Sequence, residues 1–552
     1  MEKQKKSLWK FRKANSSNLA KKAVLAALIT GGCLSIAQLF DWWFREEHVA
    51  QLPLFMVLTF IFWWGLIRMI ILWVSYLGTS VPDKMPVKRS DLKVAIFTTS
   101  SPGEPLSMFD KTLEACANVS YPHTTYLLDD TQDPRFREVA EKHGAVWLEI
   151  VGFPGAKAGK INEALKRTKE DFILVLDPDH IPFPNFFDEV LGYFEDAKVG
   201  FVQVCQAYYN QYRSFTARAA AEQTYGFYGP TQIGMNGFNC SVAIGANCTF
   251  RRTALESIGG HGIGLAEDLV TSIRIHSEGW KSIYNPVIVS RGLVPEDLGS
   301  FCKQQLKWSR GVHEVLFSEL PRLWPKLSFW QRLSYFTIGT YYMSGLSVLL
   351  FLIFPYLFLW FGVLPANMDF LDFATYWTPV AICGILIYLY VQQWMCHPEE
   401  ERGLHWRGMF LKFACWYVFL KGFILAIRDE EIPYIPTAKK AVRGFSLFAR
   451  PLIYHQIIFL STIVLVVINR LYFTPEAKIA LSSGEIWGMV AFASIAFVMT
   501  FGGLYAAYES TKIKPTEPWA EIDLANIQCD DAAITDKLHE MKPVTKKEPA
   551  LV

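Results

Sequence analysis

The chain has 552 residues, of which 51% are hydrophobic, 15% aromatic and only 19% charged, a balance that leaves room for a globular domain beside a membrane bundle. The formal net charge of +2 hides a cationic start, Lys3, Lys5, Lys6, Lys10, Arg12, Lys13, Lys21 and Lys22 against Glu2. Because an apolar segment follows directly, residues 1–22 read as a basic cytosolic flank, which argues against nucleic acid as a partner.

Two apolar runs, 23–40 and 52–77, approach the roughly twenty residues a span needs. Asp41-Trp42-Trp43 follows the first without a small-residue cleavage site, so an anchor is expected and not a cleaved signal. Residues 23–80 thus form two transmembrane helices that return the chain to the cytosol, and residues 81–326 form a cytosolic domain. Ten scattered cysteines, without CxxC or zinc-ligand spacing, suit a reduced compartment.

Within that domain, strands are expected at 94–97, 124–128, 146–150, 172–176 and 282–284, with helices at 108–118, 134–143, 160–169 and from 267 onward. The alternation predicts an α/β fold with a largely parallel sheet, whose ligand sits at the carboxyl ends of the strands. Asp129-Asp130 and Asp177-Pro178-Asp179-His180 both follow strands directly. Two aspartates one residue apart after a buried strand suit a divalent cation on a diphosphate, although turns also carry paired acids. Lys157, in Gly155-Ala156-Lys157-Ala158-Gly159-Lys160, stands in a small-residue loop where backbone approaches phosphates closely; its plain reading is a solvated lysine. Glu267-Asp268 opens a helix and supplies a separate carboxylate for base chemistry, or simply an acidic helix start.

Further apolar runs at 333–364, 377–394, 452–473 and 486–508 bring the expected spans to about six. The 363–376 loop lacks Lys and Arg while 396–450 is rich in both, so the former is expected outside and the latter inside. Residues 327–509 therefore read as a membrane region of about four spans. Within it, 404–428 interleaves aromatics and cations at helical spacing and is expected as one helix in the interface plane, with a seventh span as the alternative. The tail, 510–552, is polar and expected to be mobile.

Four short stretches recur in one order: Lys157-Ala158-Gly159-Lys160-Ile161-Asn162, Asp177-Pro178-Asp179-His180, Glu267-Asp268-Leu269-Val270-Thr271 with Gly279-Trp280-Lys281, and Gln304-x-x-Lys307-Trp308. Bracketed by spans, they resemble the processive membrane glycosyltransferases of family 2, in particular bacterial cellulose synthases and curdlan-type β-glucan synthases. The resemblance runs from about residue 52 to 508. It implies a GT-A domain inserted in a transmembrane bundle of the cell membrane. That domain would polymerise glucose from UDP-glucose through β-1,3 or β-1,4 linkages and pass the growing β-glucan across, among membrane lipids. Glu104 and Asp129 or Asp130 would lie near the nucleoside; Lys157, Gln304 and Lys307 would bind the donor; Asp177, Asp179 and His180 would hold Mg2+ or Mn2+. Asp268, beside Glu267, matches the general base, and Trp308 the platform under the acceptor sugar.

The pattern also departs from the family. Lys307 replaces the usual arginine, with Arg310 expected to compensate on the diphosphate. The gating segment, 429–446, carries Tyr434-Ile435-Pro436-Thr437-Ala438-Lys439 with its proline displaced, leaving Thr437 and Lys439 as its functional pair. The loop at 99–105 is one residue longer than usual, and the tail is too short for a cyclic-di-GMP-binding barrel. A non-processive transferase using UDP-GlcNAc or a lipid acceptor is the second reading, and a non-catalytic transporter or scaffold the third.

Overall fold

The computed structural model describes residues 14–87, 89, 91–433, 436–468 and 483–527. Most of the basic flank, Tyr434 and Ile435 of the gating segment, residues 469–473 of the fifth expected span, and the tail beyond 527 lie outside the described residues. Among those described, six helices are long and apolar enough to cross a membrane: Leu19–Trp43, Leu52–Leu77, Tyr341–Phe361, Phe370–Trp394, Leu447–Val467 and Glu485–Ser510.

Between the second and third of these lies the α/β domain. Its seven-stranded sheet has the order β3-β2-β1-β4-β8-β6-β9, built from β1 (Val94–Thr99), β2 (Thr124–Asp129), β3 (Val146–Glu149), β4 (Phe172–Leu176), β6 (Val199–Val204), β8 (Cys248–Arg251) and β9 (Lys281–Asn285). β1 pairs in parallel with both β2 and β4, while β8 runs antiparallel between β4 and β6. A small second sheet joins β5 (Ile181–Pro182), β10 (Ser290–Gly292) and β7 (Ala207–Tyr208). β1 and β4 are buried along their whole length, as central strands covered on both faces must be. Their carboxyl ends, with that of β2, therefore open one rim of the sheet.

Glycines set how closely the domain meets the membrane helices. A Cβ on Gly237 would lie 1.8 Å from the Gly78 carbonyl oxygen, and one on Gly234 would lie 2.4 Å from that of Ser75. Backbones in direct contact leave no room for a side chain. Gly237→Ala is expected to destabilise the protein by about 1–3 kcal/mol through forced separation. Thermal unfolding in detergent checks this, and an unchanged midpoint would refute the contact.

Three expectations need correction. The apolar run 333–364 is not one helix: Phe329–Gly339 ends at Thr340, whose carbonyl and hydroxyl both accept from Arg68 of the second span, and the span starts afresh at Tyr341. The single helix expected over 404–428 is two, Trp406–Ala414 and Trp416–Ile427, meeting at 50°. The first is held by Glu222, which accepts from Gly408 N (3.0 Å) and pairs with Arg407 (3.1 Å); the second packs on Leu298–Glu314, with Ser309 Oγ donating to Phe419 O (3.0 Å). Two anchors in different directions produce the bend. The tail is not free after Lys512, because Trp519 is buried to 1% exposure among Met108, Phe109 and Leu113 of the helix Leu106–Ala117.

Candidate active site

The first wall of the site is the rim of β1, β2 and β4. Asp177 leaves β4 and pairs with Lys157 Nζ at 2.5 Å; that ammonium also donates to the Gly245 carbonyl. Lys157 is buried on the first turn of the helix Ala156–Arg167, which Gly155 enters at φ 91°. A Cβ on Gly159 would sit 2.1 Å from the Pro154 carbonyl oxygen, so this loop needs its small residues for close packing. Burial alone would discharge Lys157, but Asp177, Glu267 and Asp268 outweigh it and raise its pKa.

Asp179 Oδ1 meets His180 Nδ1 at 3.2 Å, and its Oδ2 pairs with Lys439 Nζ at 3.1 Å. Burial opposes ionisation of Asp179, yet Lys439 and His180 hold its pKa below the ordinary carboxylate range. Burial likewise opposes Asp177, and Lys157 lowers it. The ligand atoms of Asp177, Asp179 and His180 lie within 4.8 Å of one another, and His180 Nε2 is a buried polar atom without a hydrogen-bond partner among the described residues. Two ionised carboxylates and an uncommitted imidazole nitrogen fit a small divalent cation. Gly292 makes this possible, since a Cβ there would fall 2.3 Å from the His180 ring.

Of the two aspartates at the end of β2, only Asp130 retains an uncommitted oxygen among the described residues. Asp129 accepts from Ser100 Oγ (2.5 Å), Thr131 N (3.0 Å), Thr131 Oγ1 (2.8 Å) and Trp147 Nε1 (3.0 Å), so its carboxylate holds the loops together. Asp130 pairs with Lys160 at 2.9 Å through one oxygen and leaves Oδ1 buried without a partner. Glu104 accepts from Ser101 N (2.9 Å), and burial raises its pKa to about 7 despite Lys439 nearby. Sequence reasoning passed over Lys160 as a site residue. Its three-residue spacing from Lys157 puts both on one helical face, and that was the available signal.

Glu267 and Asp268 start the helix Glu267–Ser277. The helix N-terminus favours their charge, and Leu269 N donates to Asp268 Oδ1 at 2.8 Å. Burial and the Glu267 carboxylate win nonetheless, raising the Asp268 pKa to about 7. Burial raises Glu267 as well. A Cβ on Gly245 would lie 3.5 Å from Asp268 Oδ2, so the residue whose carbonyl receives Lys157 also borders the base candidate. Gly245 was the second omission. Its φ of 81° follows from a loop shaped by Gln203, whose amide donates to the carbonyls of Val204 and Ala246, both at 2.8 Å, a long-range tie no local pattern reveals.

Gln304, Lys307 and Trp308 share one face of Leu298–Glu314. Burial lowers the Lys307 pKa, with Glu267 opposing it. Trp308 is partly buried against the cluster containing Tyr342, Val418 and Phe419. Arg310 does not supply the missing diphosphate fork: its guanidinium bonds Glu430 O (3.0 Å), Glu314 (2.8 Å) and Asp429 (3.3 Å). It ties this helix to the start of the 429–446 segment, expected from sequence to gate the site. Thr437 is partly buried, two residues before Lys439.

A model of the glycosyltransferase like family 2 matches residues 94–311, and one of cellulose synthase matches 256–469. The UDP-forming cellulose synthase catalytic subunit of Komagataeibacter sucrofermentans is 31% identical over 270 residues, covering 47% of this chain and 36% of its own. Its counterpart in Pseudomonas fluorescens is 26% identical over 361 residues, covering 63% of this chain and 48% of its own. The chain thus spans less than half the length of these relatives. A solved mannosyltransferase, PcManGT from Pyrobaculum calidifontis in complex with GDP-Man and Mn2+, is 16% identical with a TM-score of 0.45, covering 69% of this chain and 99% of its own.

Proposed function

We propose that the chain, which matches models of the glycosyltransferase like family 2 and of cellulose synthase, polymerises glucose from UDP-glucose into a β-linked glucan and passes the product through its own membrane helices. The observation that carries this reading is the Asp177–Lys157 ion pair, whose ammonium also donates to the carbonyl of Gly245, the residue that borders Asp268; the candidate diphosphate and cation site thus adjoins a carboxylate of raised pKa. The catalytic domain lies in the cytosol, on the side of the basic first residues and the Lys/Arg-rich 396–450 loop.

Asp268 takes the proton from the acceptor hydroxyl as that oxygen attacks the anomeric carbon. The bond to the UDP oxygen breaks on the opposite face, and the α-linked donor becomes a β-glycoside. Asp177, Asp179 and His180 would hold Mg2+ or Mn2+, and the ion would neutralise charge on the leaving diphosphate. Lys157 adds a fixed cation on the same side. Glu104 and Asp130 border the nucleoside end, while Gln304 and Lys307 approach the donor from the acceptor helix. Incubation with UDP-glucose and UDP-GlcNAc, followed by digestion with β-1,3- and β-1,4-glucanases, tests the substrate. Polymer from UDP-glucose that a β-glucanase degrades is expected; preferential use of UDP-GlcNAc would replace this reading with the other-sugar one.

Two further outcomes follow from the same groups. A base with a pKa of about 7 accepts a proton only when ionised, so kcat/KM should fall as pH drops through about 7. A pH profile flat down to about 5 would remove Asp268 from that role. Trp308→Ala should reduce polymer yield by about ten-fold or more while UDP release to water persists, since stacking and orientation of the acceptor are lost. Equal losses in both would make Trp308 a packing residue.

A further inference from the structure

After the last span the chain turns back onto the catalytic domain. Trp519 fills a pocket on the helix Leu106–Ala117 and donates from Nε1 to Ser107 Oγ at 3.1 Å. Ser107 in turn donates to Glu517 Oε2 at 2.9 Å, and Glu517 Oε1 pairs with Lys440 at 2.6 Å. Lys440 adjoins Lys439, whose ammonium is 3.1 Å from Asp179 Oδ2. Ser107 stands three residues after Glu104, which accepts from Ser101 N at 2.9 Å. The tail therefore links the helix Leu106–Ala117 to the 429–446 segment, whose Lys439 reaches Asp179.

We propose that residues 512–527 form a strap that sets the position of Lys439 over the donor site, with Trp519 as its anchor and Glu517 as its positioning residue. The proposal rests on the donor-site reading above. Buried Trp519 provides the attachment. The Glu517–Lys440 pair is partly exposed, with side chains 36% and 43% accessible, so it steers the segment without locking it. Because Lys439 reaches the Asp179 carboxylate, loosening the strap weakens donor binding more than it slows the chemical step at Asp268.

The test uses the full chain in lipid nanodiscs and measures donor KM, kcat and UDP affinity by calorimetry with Mg2+ present. Glu517→Lys and Lys440→Glu should each raise KM and the UDP Kd about three- to five-fold with kcat nearly unchanged, and the double swap should restore both. Trp519→Ala should raise KM about ten-fold or more. Unshifted KM and Kd in the single variants, or a double swap no better than either, would overturn the strap. A fall in kcat alone would overturn it too. Absence of turnover in the wild type would instead refute the synthase reading, with UDP affinity still reporting on the strap.

Discussion

Asp268→Asn is expected to abolish glucan synthesis while UDP still binds. The amide keeps the shape of the carboxylate and can still accept from Leu269 N, so the start of the helix Glu267–Ser277 should survive. It cannot accept the proton of the acceptor hydroxyl. Loss of a positioned base costs roughly a hundred- to ten-thousand-fold, which places polymer formation near background. The ion pairs proposed to bind the donor, Lys157 with Asp177 and Lys160 with Asp130, are untouched. Calorimetric UDP affinity close to wild type, beside absent polymer, is the expected pair of results. Synthesis near the wild-type rate would eliminate Asp268 as the base and leave Glu267 as the remaining carboxylate of the pair.

Chelation of divalent cations with EDTA should stop turnover, and added Mg2+ or Mn2+ should restore it. Lys157 and Lys439 hold Asp177 and Asp179 below the ordinary carboxylate range, and His180 Nε2 has no hydrogen-bond partner among the described residues. Beyond the charge that Lys157 and Lys439 supply, those acceptor groups would hold a divalent cation that offsets the charge of the diphosphate. UDP, which carries the same diphosphate, should inhibit as product, and its affinity should drop with EDTA. Turnover that EDTA leaves untouched would hand the diphosphate to Lys157 and Lys439 alone and remove the metal from the account.

Local signals carried much of the fold and pointed to the residues at the centre of the candidate site. β1, β2 and β4 are apolar runs that end in polar or acidic residues, and that punctuation marks both a buried parallel strand and its ligand end. Asp177, Asp268 and Trp308 stand in short patterns that a reader meets in order. β6 and β8 were not read, because Cys248–Arg251 is only four residues long and takes its place by antiparallel pairing across distant sequence. The same limit hid the break at Thr340, which depends on Arg68, and the diversion of Arg310 to Glu314, Asp429 and Glu430. Trp519 offered a faint clue, a large aromatic in an otherwise polar tail; its pocket exists only once helix Leu106–Ala117 has packed.

The chain-length distribution of product made by purified protein from labelled UDP-glucose tests the central claim most directly. A processive synthase yields long polymer at early times, while most enzyme-bound chains are still few, and the length depends little on enzyme concentration. Products that grow by one sugar at a time, or stop after a single addition, would contradict processive synthesis and leave a transferase that releases its acceptor after each step.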